Sequence, residues 1–157
     1  MKSSKPYFYI LLVTIISVTS CDPSRVFEDN IRIPDGVWEQ DNIIRFDLMV
    51  EDTISAYNLY VNVRNASLYP MSNLYLFIRT TAPSGHSILD TVEVILADER
   101  GKWLGSGLGD IWDLQQAYKQ NIRFAQRGEY TFEYEQAMRV ERLPFILDVG
   151  LRVEKAD

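Results

Sequence analysis

The chain has 157 residues, 46% of them hydrophobic, and its 16 Lys and Arg against 22 Asp and Glu leave a formal net charge of −6. Such an acidic surface repels nucleic acid and anionic headgroups, which excludes a nucleic-acid partner and membrane binding through a basic patch. The single cysteine excludes an internal disulfide and the single histidine a His-rich metal site, so a core must come from packing, for which 3 Trp, 9 Tyr and 7 Phe supply the bulk.

The N-terminus is a secretory signal. Lys2 and Lys5 precede an uncharged apolar run, Tyr7 to Val18, which falls short of the roughly 20 residues a permanent span needs. Val18-Thr19-Ser20-Cys21 then has the make-up of a bacterial lipobox, in which small residues flank the cut and the cysteine thiol takes a diacylglycerol. Acylation at Cys21 also accounts for a lone cysteine in an exported protein, and several acyl chains at about 0.8 kcal/mol per buried methylene hold the protein on a membrane. Removing residues 1–20 takes away two lysines and no acid, so the net charge falls from −6 to −8. The 137 residues left suit one domain. We divide the chain into a signal peptide (1–20), an acylated cysteine with a polar tether (21–30) and a folded domain (31–157).

Period-two alternation dominates that domain. Pro34-Asp35-Gly36 marks a turn, and Trp38 is expected at a sheet edge. Ile44, Phe46, Leu48 and Val50 share one face of a strand, and Tyr57, Leu59, Val61 and Val63 share one face of the next. Asn73 to Thr81 is apolar on both faces and reads as a central strand; Leu89 to Ala97 turns Val92, Val94 and Leu96 inward. Asp98-Glu99-Arg100-Gly101 makes a hairpin into Lys102-Trp103-Leu104. One short helix is predicted next, with Asp110 as cap, Asp113 in the first turn, and Ile111, Leu114 and Tyr118 spaced i, i+3, i+7. Asn121 to Phe124 leads through Gly128 into a strand with Tyr130, Phe132 and Tyr134 on one face, where Tyr130 has the setting of a tyrosine corner. The last strand puts Leu147, Val149, Leu151 and Val153 opposite Asp148, Gly150, Arg152 and Glu154. The fold class is therefore all-β: an antiparallel two-sheet β-sandwich, immunoglobulin-like or jelly-roll-like, with one short helix, behind a cleaved lipoprotein signal peptide.

Several stretches carry a family resemblance. Besides the lipobox, these are Tyr69-Pro70-Met71-Ser72-Asn73-Leu74-Tyr75-Leu76-Phe77, the run Leu96-Ala97-Asp98-Glu99-Arg100-Gly101-Lys102-Trp103-Leu104-Gly105, and the closing Gln136-Ala137-Met138-Arg139 with Asp148-Val149-Gly150-Leu151-Arg152. Together they resemble the GldH family of gliding motility lipoproteins from Bacteroidetes. The resemblance implies a cell-envelope lipoprotein associated with gliding and secretion machinery, without a known catalytic activity.

The residues themselves offer little chemistry. Gly105-Ser106-Gly107-Leu108-Gly109-Asp110 looks like a phosphate loop but lacks the Gly-Lys-Ser/Thr of a P-loop and any βαβ setting. It reads as a mobile loop, and Trp103, Gly105, Gly107 and Gly109 are the candidate partner contacts. His86 is expected exposed in a turn, and Asp98 and Glu99 with Asp110 make only a weak calcium set. No catalytic residue, metal site or cofactor is indicated, and no enzyme is expected. If Trp38, Trp103 and Trp112 were exposed as a row, they would support the alternative of a carbohydrate-binding sandwich lipoprotein. Asp52-Thr53-Ile54 resembles an O-glycosylation signal of Bacteroidetes, which makes Thr53 a candidate attachment site. Asp22-Pro23-Ser24-Arg25 lacks an acidic surface-export cluster, so the anchored domain is expected to face the periplasm, with the membrane and other envelope proteins as its partners.

Overall fold

The computed structural model describes residues 22–156. Its chain order is β1 (Arg25–Arg32), a single 3-10 turn (Pro34–Gly36), β2 (Val37–Glu39), β3 (Ile44–Val50), β4 (Tyr57–Ala66), β5 (Asn73–Thr81), β6 (Ser87–Ile95), β7 (Ser106–Leu108), β8 (Ile111–Ile122), β9 (Gly128–Gln136), β10 (Arg142–Pro144) and β11 (Ile146–Lys155). Every pairing is antiparallel. Five strands in the order β1-β11-β4-β8-β7 form one sheet and four in the order β3-β9-β5-β6 the other, while β10 and β2 make a small ribbon. The sandwich expected from the alternation is thus formed.

The core follows the alternation. Ile44, Phe46, Leu48 and Val50 from β3, Tyr57 to Val63 at every second position of β4, and Tyr130, Phe132 and Tyr134 from β9 are all buried. β5 lies between β9 and β6, as its two-sided apolar character predicted. Trp38 is fully buried, and its indole N–H donates to Asn42 O at 2.8 Å. The Tyr130 hydroxyl accepts from the Gln126 N–H at 3.1 Å, the tyrosine-corner contact.

Four expectations are corrected. The segment read as a helix is the twelve-residue strand β8. Its inward positions are Trp112, Leu114, Gln116 and Tyr118, and because one of them is a glutamine the period of two was hidden behind a helical spacing of apolar residues. Secondly, 121–124 is not the hairpin partner of β9: β8 runs along β4 in the first sheet, whereas β9 pairs with β3 and β5 in the second. Thirdly, the tether is shorter than 21–30. β1 begins at Arg25 and pairs with β11 from Arg25↔Glu154 to Arg32↔Asp148. It is an edge strand, so its polar residues face solvent and only Phe27 and Ile31 pack on the core. Lastly, a bulge at the start of β11 pairs Ile146 with Asn65 and Asp148 with Arg64, turning Ile146 inward and leaving Leu147 half-exposed.

On the side of the sandwich opposite β1, the edge of β6 is closed by side chains from β8. Gln116 Nε2 donates to Glu93 O at 2.8 Å, and its Oε1 accepts from the Ile95 N–H at 2.9 Å. One amide side chain therefore stands in for a neighbouring strand. Beside it, the Tyr118 hydroxyl donates to Asp90 at 2.5 Å and Lys119 Nζ lies 2.7 Å from the same carboxylate.

Candidate functional site

The strand registers give the molecule two distinct ends. At one end lie Ser24, Lys155, Ala156 and Ala56, joined by the bonds Lys155 N–H to Ser24 O and Ala156 N–H to Ala56 O. At the other, Ala66 pairs with Ile111 and Ile111 with Leu108, while the Ala66 N–H donates to Phe145 O. The ten residues of β11 run between them, about 30 Å at a strand's rise per residue. Cys21 lies outside the described residues, but the chain enters at the first end.

At the far end stands the β7–β8 hairpin. The loop expected to be mobile is instead packed. A Cβ on Gly105 would sit 2.4 Å from Asp113 O, and one on Gly107 would sit 2.5 Å from the Trp112 ring, so both glycines permit close approach of β7 to β8. Gly109, at φ 68 with nothing near a would-be Cβ, makes the two-residue turn with Asp110. Trp103 is half-buried against the core with its ring centroid 6.5 Å from that of Tyr69. Of the four candidate contact residues, Gly109 alone reaches the tip.

The tip's exposed residues are ones the sequence reading missed. Leu108 is 93% and Leu68 71% exposed, and Ile111 and Phe145 also face solvent. Ser67 ties the cluster together: its N–H donates to Asp110 O at 2.7 Å and its hydroxyl accepts from the Trp112 indole at 2.9 Å. Phe145 is held at φ 67, a conformation costly for an aromatic residue, by its N–H to Gly36 O. The available signal was an apolar residue between two glycines at 107–109.

Between the ends, the outer face of the five-stranded sheet forms a polar groove of about 590 Å³ lined by Asn30, Asn62, Arg64, Asp113 and Gln115 among others. Its groups largely satisfy one another. Arg64 bridges Asp113 at 2.6 Å and Asp148 at 3.3 Å, and Asn62 donates to Glu28 and Asn30. The Asp113 hydrogen bond is the main reason the Arg64 guanidinium is held more basic than usual. Burial pushes the Glu28 carboxyl up, yet hydrogen bonds and charge from Arg25 and Arg152 outweigh it and leave it below its ordinary range. Within this otherwise paired groove the buried Asn62 Oδ1 has no hydrogen-bond partner.

The remaining candidates are dispersed. His86 is exposed in the β5–β6 turn. Asp98 accepts from the N–H groups of Arg100 and Lys102 at 2.9 Å each, the hairpin expected of it. Among the described residues no group of three or more His, Cys, Asp or Glu could hold a metal ion. Trp38 is buried and Trp103 and Trp112 are half-buried, so the exposed stacking row is not formed. Thr53 is half-buried in a bend where Asp52 accepts from the Ser55 hydroxyl at 2.6 Å and from the Ile54 and Ser55 N–H groups. The Ser55 hydroxyl foremost, then those N–H groups, hold the Asp52 carboxyl well below the carboxylate range.

The fold is thus an antiparallel two-sheet sandwich with an exposed apolar cluster at the end opposite the start of β1. The model of the GldH lipoprotein family matches residues 25–153, and the chain belongs to that family. The gliding motility lipoprotein GldH of Flavobacterium johnsoniae is 38% identical over 155 residues, covering 94% of this chain and 96% of that protein. The GldH homolog of Christiangramia forsetii is 36% identical over 156 residues, covering 95% of each. Among solved structures, the VP2 subviral particle of infectious bursal disease virus aligns with a TM-score of 0.37 and 14% identity, over 85% of this chain and 34% of that one, a likeness too loose to carry any argument. Family membership makes the chain a membrane-anchored protein of the cell envelope.

Proposed function

We propose that the protein is a noncatalytic component of gliding-motility machinery, the role named for its relatives, acylated at Cys21 and facing the periplasm. It acts by holding its β7–β8 tip out to another envelope protein of that machinery. The observation that carries this reading is the placement of the exposed apolar cluster Leu68, Leu108, Ile111 and Phe145 at the end of the sandwich farthest from the chain's entry. An apolar cluster of this kind on a soluble domain marks a protein contact.

The test is a photo-crosslinking residue at Leu108 in native membranes, with another at Thr131 on the outer face of the four-stranded sheet as control. A discrete protein adduct from position 108 alone is expected. The double variant Leu108→Asp, Ile111→Asp should keep its membrane fractionation, lose the adduct, and fail to restore gliding to a Flavobacterium johnsoniae strain lacking its own protein. Adducts to glycans without protein, or full complementation by the double variant, would refute the reading. Protease shaving of intact cells checks the orientation, and digestion of the domain there would reverse it.

A further inference from the structure

We propose that the entry end of the sandwich does more than trail from its lipid: it beds into the interfacial layer of the bilayer through Val26, Met49 and Ile54. This rests on the reading of Cys21 as the acylated residue. The first support is the lack of slack. Asp22 accepts from the Ser24 N–H and from the Arg152 guanidinium, which fixes the start of the described chain against β11, and β1 is already paired at Arg25. Cys21 precedes Asp22 directly. A residue spans at most about 3.6 Å, so acyl chains on that cysteine hold this end of the domain within a few ångströms of the headgroups.

The second support is what this end presents. Ile54 is 82%, Met49 58% and Val26 46% exposed, a group of bare apolar side chains at the end where the chain enters. Val26 and Met49 flank the mouth of a cleft of about 280 Å³ that continues inward to Leu48, Tyr57, Phe124 and Val153. Ile54 belongs to the same rim, since Asp52 lines the cleft and accepts the Ile54 N–H at 2.8 Å. Long basic side chains brace the rim. Arg123 Nε donates to Ile54 O at 3.0 Å and Lys155 Nζ lies 3.3 Å from Asp52, so two cations stand at the rim beside the cleft's Glu51 and Asp52, where headgroup phosphates would meet them. Apolar side chains backed by Arg and Lys are the make-up of a segment lying about 5–10 Å into the headgroup boundary. Seating this end turns the long axis of the sandwich away from the membrane, so the β7–β8 tip stands clear of it.

The full-length acylated protein tests this in vesicles of phosphatidylethanolamine and phosphatidylglycerol. The sulfur of an acylated Cys21 is a thioether, so the variants Ile54→Cys, Met49→Cys and Leu108→Cys each carry one free thiol for an environment-sensitive fluorophore. Probes at 54 and 49 are expected to shift to the blue and be quenched by lipids carrying a nitroxide high on the acyl chain, while a probe at 108 does neither. Protein that floats with vesicles but whose probes at 54 and 49 match the one at 108 would overturn the seat and leave the anchor standing. Protein that does not float and takes up two fluorophores would remove the anchor and the seat with it. A glycan on Thr53 of the native protein would hold Ile54 off the bilayer and also overturn the proposal.

Discussion

Tyr134 sits at the centre of the core with no exposed surface, and its hydroxyl has no hydrogen-bond partner. A buried hydroxyl left unpaired costs roughly 1–3 kcal/mol of desolvation that no bond returns. Tyr134→Phe removes that oxygen and keeps the ring, including its edge-on contact with Phe46 at 5.1 Å between centroids. The void left by one oxygen costs a few tenths of a kcal/mol at about 24 cal/mol per Å³. The expected balance is a gain of about 1 kcal/mol, seen as a higher urea midpoint at unchanged slope and a melting temperature raised by roughly 3–5 °C. Burial also holds the Tyr134 phenol well above its ordinary 10, as it does those of Tyr69 and Tyr118, so an ultraviolet titration of the native protein should lack these phenolates until it unfolds, and Tyr134→Phe should remove one of them. A loss of stability of 1 kcal/mol or more in Tyr134→Phe would mean the hydroxyl is bonded in solution and the reasoning fails.

The two hairpin glycines have different reasons to be glycine, and alanine separates them. Gly107→Ala must push a methyl against the Trp112 ring and the Ile111 carbonyl, costing about 2–3 kcal/mol, whereas Gly109→Ala meets open space and pays only about 1–2 kcal/mol for its left-handed backbone. Equal losses in denaturant titrations of the two would contradict the packing described. At the sheet seam, burial pushes the Asp90 carboxyl up, but Lys119 and Tyr118 outweigh it and leave it below its ordinary 3.8. A carboxyl lowered on folding contributes stability that is full above that value and lost as the pH falls through the folded one. Lys119→Met should therefore flatten part of the acid limb of a stability profile below about pH 4. An acid limb as steep as in the parent protein would show that the pairing does not form.

The alternation of β3, β4, β5 and β9 was legible in the sequence because each buries one whole face, so every second residue had to be apolar. β8 was not, since its inward row includes Gln116 and Tyr118, whose task is to bond the neighbouring sheet's edge and not to fill a core. β1 hid for a related reason: an edge strand with one wet side needs only Phe27 and Ile31, and its polar residues look like linker. The tip residues could not be picked out because exposure of Leu108 and Leu68 follows from a hairpin formed between β7 and β8, which a helical reading of 111–118 removes. The family motif at 96–105 runs up to β7 and stops short of the tip residues. Of its two glycines, Gly101 makes the hairpin turn at φ 78 and Gly105 is a spacer under β8, while its tryptophan is a half-buried prop against Tyr69.

An exported chain folds among many identical copies before it reaches its membrane, and any bare strand margin invites them to zip onto one another. Gln116 meets that danger with a single amide, occupying the outward-facing groups of Glu93 and Ile95 as a neighbouring backbone would. The guard travels with the domain and closes that stretch of β6 to a second copy.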